Sequence, residues 1–100
     1  MNYKEDIVWI AMADKTRRDI IDMLYKTDFL SAGEISEKFD MTKPSLSRHL
    51  NILKQAGLVD ATKKGKNVLY SLSETWGEEI LAYANRITNR EVPRVIPQNS

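Results

Sequence analysis

The stretch from Thr42 to Gly57 constrains the fold more than any other part of the chain. Thr42 suits the position before a helix, where a hydroxyl accepts from the amides that follow, and Pro44 fits the first turn. Leu46, Leu50 and Leu53 recur at i, i+4 and i+7, and Gly57 offers a left-handed stop. Together these signals predict one helix of about 12–13 residues, ~18–20 Å long. With three leucines turned toward a core, the opposite side must carry Lys43, Ser45, Arg48, Asn51 and Ile52, flanked by Ser47 and His49. The rod is apolar on one side and bears hydroxyl, amide and guanidinium groups on the other.

The flanking sequence predicts what this rod packs against. Residues 3–13 form a short helix that is apolar on most sides, with Ile7, Val8, Ile10 and Ala11 joined by Trp9 and Met12. Asp14 can cap a second helix ending near Lys26 to Asp28, with Ile20, Ile21, Leu24 and Tyr25 at helical spacing. Ser31-Ala32-Gly33-Glu34 fits a capping box for a short third helix, with Ile35 and Phe39 facing inward and Phe29 or Leu30 placed to staple against Ile35. After Gly57, residues 58–62 and 68–73 have strand character, and Lys63-Lys64-Gly65-Lys66-Asn67 is the turn between them. A last helix is expected over 74–90, its stripe formed by Trp76, Ile80, Tyr83, Ala84 and Ile87. Pro93 and Pro97 end ordered helix, so 93–100 is expected to be a flexible tail.

The order ααααββα, with a short helix, a turn, a longer helix and then a hairpin, predicts a winged helix-turn-helix. The fold class is thus mainly α with a small β-hairpin: five helices plus a two-stranded wing, in one domain over 1–92. Such a chain has one modest core. It has no cysteine and one histidine, which removes disulfides, thiolate metal sites and multi-histidine sites. No Ser/His/Asp set and no phosphate-binding glycine loop stands out, so no catalytic residue, metal ligand or cofactor is expected and an enzyme is disfavoured. No apolar run approaches the ~20 residues of a membrane span, and the start lacks the features of a secretory signal, which predicts a cytoplasmic protein without membrane insertion.

The net charge of +1 hides a strong asymmetry. Residues 43–67 carry six Lys and Arg against one acidic residue, while 1–42 carry six against nine and 68–100 three against four. All excess positive charge lies on the rod and the hairpin that follows it. A helix fits the ~12 Å major groove of B-DNA, where Arg can bond guanine, Asn adenine, and Ser either. Lysines on a wing would neutralise phosphates without reading sequence. The residues expected to meet DNA are Lys43, Ser45, Ser47, Arg48, His49 and Asn51 on the helix and Lys63, Lys64 and Lys66 on the wing. For His49 two roles stay open: a DNA contact, or a partly buried imidazole bonded to a nearby carbonyl.

Three runs, residues 14–24, 32–39 and 43–59, resemble the ArsR-type bacterial repressors. The most specific part is Ser-Leu-Ser-Arg-His-Leu-Asn-Ile-Leu (45–53) followed by Gly57-Leu58-Val59, and the likeness continues to Tyr70-Ser71-Leu72. Within that family the chain is most similar to the metal-independent autorepressors of the sporulation-delaying operon repressor type. The resemblance implies a homodimeric repressor acting on a double-stranded DNA operator, with helices 3–13 and 74–90 paired across a two-fold axis. Ile7, Ile10, Trp76, Ile80, Tyr83, Ala84 and Ile87 are the expected interface. It also leaves room for a protein partner that sequesters the repressor. A winged-helix interaction module and a ligand-responsive sensor at the dimer interface are the alternatives. Arg17 and Arg18 match paired basic residues of the family, and for at least one of them an internal ion pair with Asp14 or Asp22 is expected over a phosphate contact. Glu78 and Glu79 are expected to face solvent.

Overall fold

A computed structural model of the chain describes residues 3–88, with side chains from 6 to 86. The elements are α1 (Tyr3–Met12), α2 (Lys15–Lys26), β1 (Leu30–Ser31), α3 (Ala32–Lys38), α4 (Lys43–Gln55), β2 (Val59–Lys64), β3 (Asn67–Leu72) and α5 (Trp76–Thr88). This is the winged helix-turn-helix that the sequence predicts, with one strand more. The expected tail, 93–100, and the expected end of the last helix lie outside the described residues.

The fold is organised around α4, which packs against α1, α2, α3 and β2. Leu46, Leu50 and Leu53 are at most 2% exposed and join Ile7, Val8, Ala11, Ile20, Ile21, Leu24, Ile35, Ala56, Leu58 and Val59 in the core. Both ends of α4 are closed by local chemistry. The Thr42 hydroxyl accepts from the Ser45 amide at 3.3 Å. At the other end Gly57 takes φ +78°, the Gly57 amide donates to the Lys54 carbonyl and the Leu58 amide to the Leu53 carbonyl. That pair of bonds is a Schellman motif, and Leu53 and Leu58 supply its apolar contact, both fully buried. The buried Ser73 hydroxyl then donates to the Gly57 carbonyl at 2.7 Å, tying the exit of α4 to the end of β3.

The sheet has the order β1-β3-β2, antiparallel throughout. β1 is only two residues long, pairing Leu30 with Tyr70 and Ser31 with Leu69. Ser31 also closes the predicted capping box, bonding Glu34 in both directions. Of the two candidates for the staple, Leu30 packs against the core, whereas Phe29 is 55% exposed. The wing is tighter than the sequence predicts. The strands run to Lys64 and from Asn67, which pair directly, leaving a two-residue turn in place of the expected five. Gly65 permits this with φ +62°, as the first central residue of a type II′ turn requires.

The junction of α1 and α2 corrects an expectation. Neither Arg17 nor Arg18 forms the expected ion pair; Asp22 bonds Lys26 and Asp19 bonds Lys15. The last turn of α1 contains no basic residue and its terminal carbonyls need donors, so α2 supplies them. Arg17 Nη2 donates to the Ile10 carbonyl at 2.7 Å and its Nε to Ala11 at 3.0 Å, while Arg18 Nη1 donates to Met12 at 2.7 Å. Asp14 caps α2 as expected, its carboxylate accepting from the Arg17 amide at 3.1 Å. Burial pulls the Asp14 carboxyl upward. The Arg17 amide, the nearby Arg17 and His49 side chains and the Thr16 amide outweigh it and hold the group below the usual carboxylate range.

Two stability tests follow from these caps. Gly57→Ala puts a side chain into left-handed backbone and should cost ~1–2 kcal/mol in urea unfolding, with Gly57→Asn milder. Asp14→Ala should cost ~0.5–1 kcal/mol at neutral pH, the low end of cap losses because the carboxylate is partly solvated. The folded value of Asp14 lies below the unfolded one, so its contribution is complete above the ordinary range and fades as pH falls through the folded value. The gap between the wild type and Asp14→Ala should therefore close when unfolding is measured at successively lower pH below about 4.

Candidate nucleic-acid interface

The helical repeat that buries the leucines of α4 leaves Lys43, Ser45, Ser47, Arg48 and Asn51 exposed. Ile52, predicted for the same outer side, is instead half-buried against the core. It sits at the edge of the leucine face, where an apolar side chain gains contacts that a polar one would not. His49 is also half-buried, with 18% of its side chain exposed. Its partner is not a carbonyl: Nδ1 lies 3.1 Å from Arg17 Nη1 and 3.8 Å from the Asp14 carboxylate. Asp14, Arg17, Ser45, Arg48, His49 and Ile52 line one cleft between the start of α2 and the outer side of α4.

Lys63, Lys64 and Lys66 are exposed on the wing, but they do not form one patch. Val59, Ala61 and Lys63 alternate onto the face of β2 that meets the core, and Lys64 projects from the opposite face. Lys66 sits in the turn, where its direction is not set by the strand pleat.

The residues expected at a dimer interface separate into three groups. Ile7 belongs to the core of its own chain, 8% exposed, and Ile80 is half-buried against that core. Trp76 stands edge-on to Tyr25, with centroids 5.9 Å apart and planes at 64°. Tyr25, predicted to lie on the apolar side of α2, is itself exposed, whereas Trp76 is half-buried against the core. Tyr83 stacks on Trp9 at 6.0 Å and 24°, joining α5 to α1. Trp9 of that stack is 55% exposed and Ile10 beside it on α1 48%, while on α5 Leu81 is 60% exposed and Ala84 is open. Trp9 and Leu81 lie outside the expected interface set, because spacing on one helix carries no information about which apolar residues its neighbour leaves uncovered. The Ile87 side chain lies outside the described residues. Glu78 is exposed, but Glu79 is half-buried with its carboxylate beside Gly57, a departure from the expected solvent-facing position. Among the described residues no three His, Cys, Asp or Glu side chains come together as a metal site, and no helix is long and apolar enough to cross a membrane.

Residues 14–61 match the family model described as bacterial regulatory protein, arsR family. The chain is 48% identical over 68 residues to the transcriptional repressor SdpR of Bacillus subtilis, covering 68% of this chain and 74% of that protein. It is 32% identical over 88 residues to the arsenical resistance operon repressor of Escherichia coli, covering 85% of this chain and 75% of that protein. The solved structure of HlyU from Vibrio cholerae superposes with a TM-score of 0.66 at 32% identity, covering 84% of this chain and 92% of that one. A fold built around an exposed polar helix and a wing, and similarity of this extent over it, place the chain in the ArsR family of DNA-binding transcription regulators.

Proposed function

We propose that the chain is a sequence-specific repressor that acts as a homodimer on operator DNA and represses its own operon. The observation that carries this is the coincidence of the +5 segment with the two surfaces the core leaves free: the outer side of α4 and the wing. In this role Asn51 and Ser47 read base edges from the major groove, Arg48 spans a base edge and the phosphate beside it, Lys43 and Ser45 meet the backbone, and His49 lies at the edge of the contact. Lys63, Lys64 and Lys66 neutralise phosphates, with Lys63 and Lys64 reaching either side of the strand. Repression, as opposed to activation, is supported by the names of SdpR and the arsenical operon repressor; HlyU is described as an activator. Self-repression follows the subgroup that the sequence resembles. A regulator of this kind works in the cytoplasm.

In this proposal residues 1–92 form one domain and the terminal helices, 3–13 and 74–90, pair two copies. The exposed Trp9 and Ile10 on α1 and Leu81 on α5 support it, since they are large apolar side chains that a second copy could cover. Two α4 helices related by a dyad would reach half-sites one DNA turn apart, ~34 Å.

On DNA from upstream of its own gene, Arg48→Ala should lose ~1–3 kcal/mol and relax sequence preference in a gel-shift titration. Lys66→Ala should weaken every duplex alike and reduce the slope of log affinity against log salt by about one. A wild-type protein that binds that DNA no better than an unrelated duplex would refute self-repression. Leu81→Asp should convert the dimer to monomer in sedimentation equilibrium and leave the far-ultraviolet circular dichroism unchanged; a dimer that persists would place the interface elsewhere.

A further inference from the structure

The cleft lined by Asp14, Arg17, Ser45, Arg48, His49 and Ile52 is polar, although it lies against the core-facing helix. We infer that it seats one phosphate group of the DNA backbone, and that Arg17 is a positioning residue which builds the seat by fixing where His49 carries its proton. This rests on the DNA binding proposed above and assigns a specific contact within it.

The hydrogen bond between Arg17 and His49 determines the chemistry. A guanidinium offers only donors, so at 3.1 Å from Arg17 Nη1 the His49 Nδ1 must be the acceptor. In the neutral ring the hydrogen therefore sits on Nε2. Among the described residues Nε2 has no hydrogen-bond partner, and no polar side-chain atom there is both shut from water and unpaired. The Nε2 hydrogen is therefore open to solvent on a ring that lines the cleft. Arg17 cannot swing away to release it, because its Nε and Nη2 are bonded to the Ala11 and Ile10 carbonyls. The guanidinium plane is held by α1, and His49 is held by the guanidinium.

The remaining wall matches an anion with several acceptor oxygens. Ser45, Arg48 and His49 follow at i, i+3 and i+4 on α4, so a hydroxyl, a guanidinium and an imidazole N–H share one side of the helix. Arg17 and Arg48 stand against the single carboxylate of Asp14, which is already engaged by the Arg17 amide at 3.1 Å. One positive charge is left over. A phosphodiester carries one negative charge and takes donors of this kind without regard to sequence.

The test uses the full chain and a random-sequence duplex of about 30 base pairs at ~50 mM salt, since backbone contacts do not depend on sequence. Arg17→Lys keeps the charge and loses the fork; His49→Gln keeps an amide donor near the Nε2 position and needs no proton placement. Arg17→Lys should weaken duplex binding about fivefold to tenfold in the wild-type background and less than about twofold in His49→Gln, with the salt slope unchanged in both. Any loss of α1 capping is common to the two backgrounds and cancels. Long-range proton–nitrogen spectra of the free protein should show His49 with its hydrogen on Nε2, and a mixture of the two neutral forms in Arg17→Lys. Equal penalties in both backgrounds, or a wild-type ring protonated on Nδ1, would overturn the inference while leaving DNA binding intact. Failure of the wild type to bind the duplex would overturn both. Inorganic phosphate, titrated at constant ionic strength, should leave the His49 ring signals in place; movement there would make the cleft a small-anion site and overturn its assignment to the duplex.

Discussion

The orientation of α4 about its own axis is the constraint on which the rest depends. Leu46, Leu50 and Leu53 are at most 2% exposed, and each contributes ~1.5–3 kcal/mol by leaving water. Adjacent helical positions differ by about 100°, so a rotation by one position would lift leucines into solvent and press Ser47, Asn51 and Lys54, or Ser45 and His49, into the core. Both terms oppose it. The direction in which the polar side points is therefore fixed by apolar packing, and no polar contact on that side has to hold it in place. The caps reinforce this at each end: Thr42 sets where the helix begins, and Gly57 turns the chain so that Leu58 and Val59 enter the same core.

Charge is distributed by the same logic. In the first half of the chain four basic residues have local work. Lys15 and Lys26 meet aspartates one turn away, in exposed pairs worth little to stability, and Arg17 and Arg18 close the carbonyl end of α1. Asp14 caps α2, Glu34 closes the box at Ser31, and Asp6, Asp28, Glu37 and Asp40 are exposed. What remains for a polyanion is the segment 43–67, where Asp60 is the lone acidic residue and lies on β2 opposite Ser71. A net charge near zero thus coexists with a basic face, and the sequence average conceals it because the acidic excess is in a different element.

Local signals made most of the fold legible in the sequence. A cap and its acceptor lie three residues apart, and a leucine stripe repeats within one helix, so Asp14, Ser31, Thr42 and the face of α4 could be read directly. What escaped was short or distant. A two-residue strand has no periodicity to detect, so β1 appeared only as the approach to a cap. The sequence alone allows a five-residue turn at Gly65 because lysines suit a loop as well as a strand end, and only the pairing of Lys64 to Asn67 decides between them. Nearby aspartates are the partners that spacing offers Arg17. Its actual partners lie on a preceding helix and on His49, 32 residues away, and nothing in the spacing marks them. The single stripe on α5 likewise divided between two neighbours, Trp76 going to Tyr25 and Tyr83 to Trp9.

The position of α1 gives the Arg17 contact a consequence beyond one cleft. One side of α1 supplies Ile7, Val8 and Ala11 to the core, and the other presents Trp9 and Ile10 to the surface proposed for the second copy. Its last carbonyls bind the same guanidinium that holds His49 on α4. The path from the proposed dimer surface to the proposed DNA surface therefore runs through one helix end and one planar side chain, with no flexible loop along it. A displacement of α1 by more than a few tenths of an ångström would lengthen the bonds to Ile10 and Ala11 or drag the guanidinium off Nδ1. In a dimer whose two α4 helices must fall one DNA turn apart, such a stiff link would keep each recognition helix in register with the pairing surface. Flexibility at this junction would spread the separation of the two helices and lower affinity for any operator of fixed spacing.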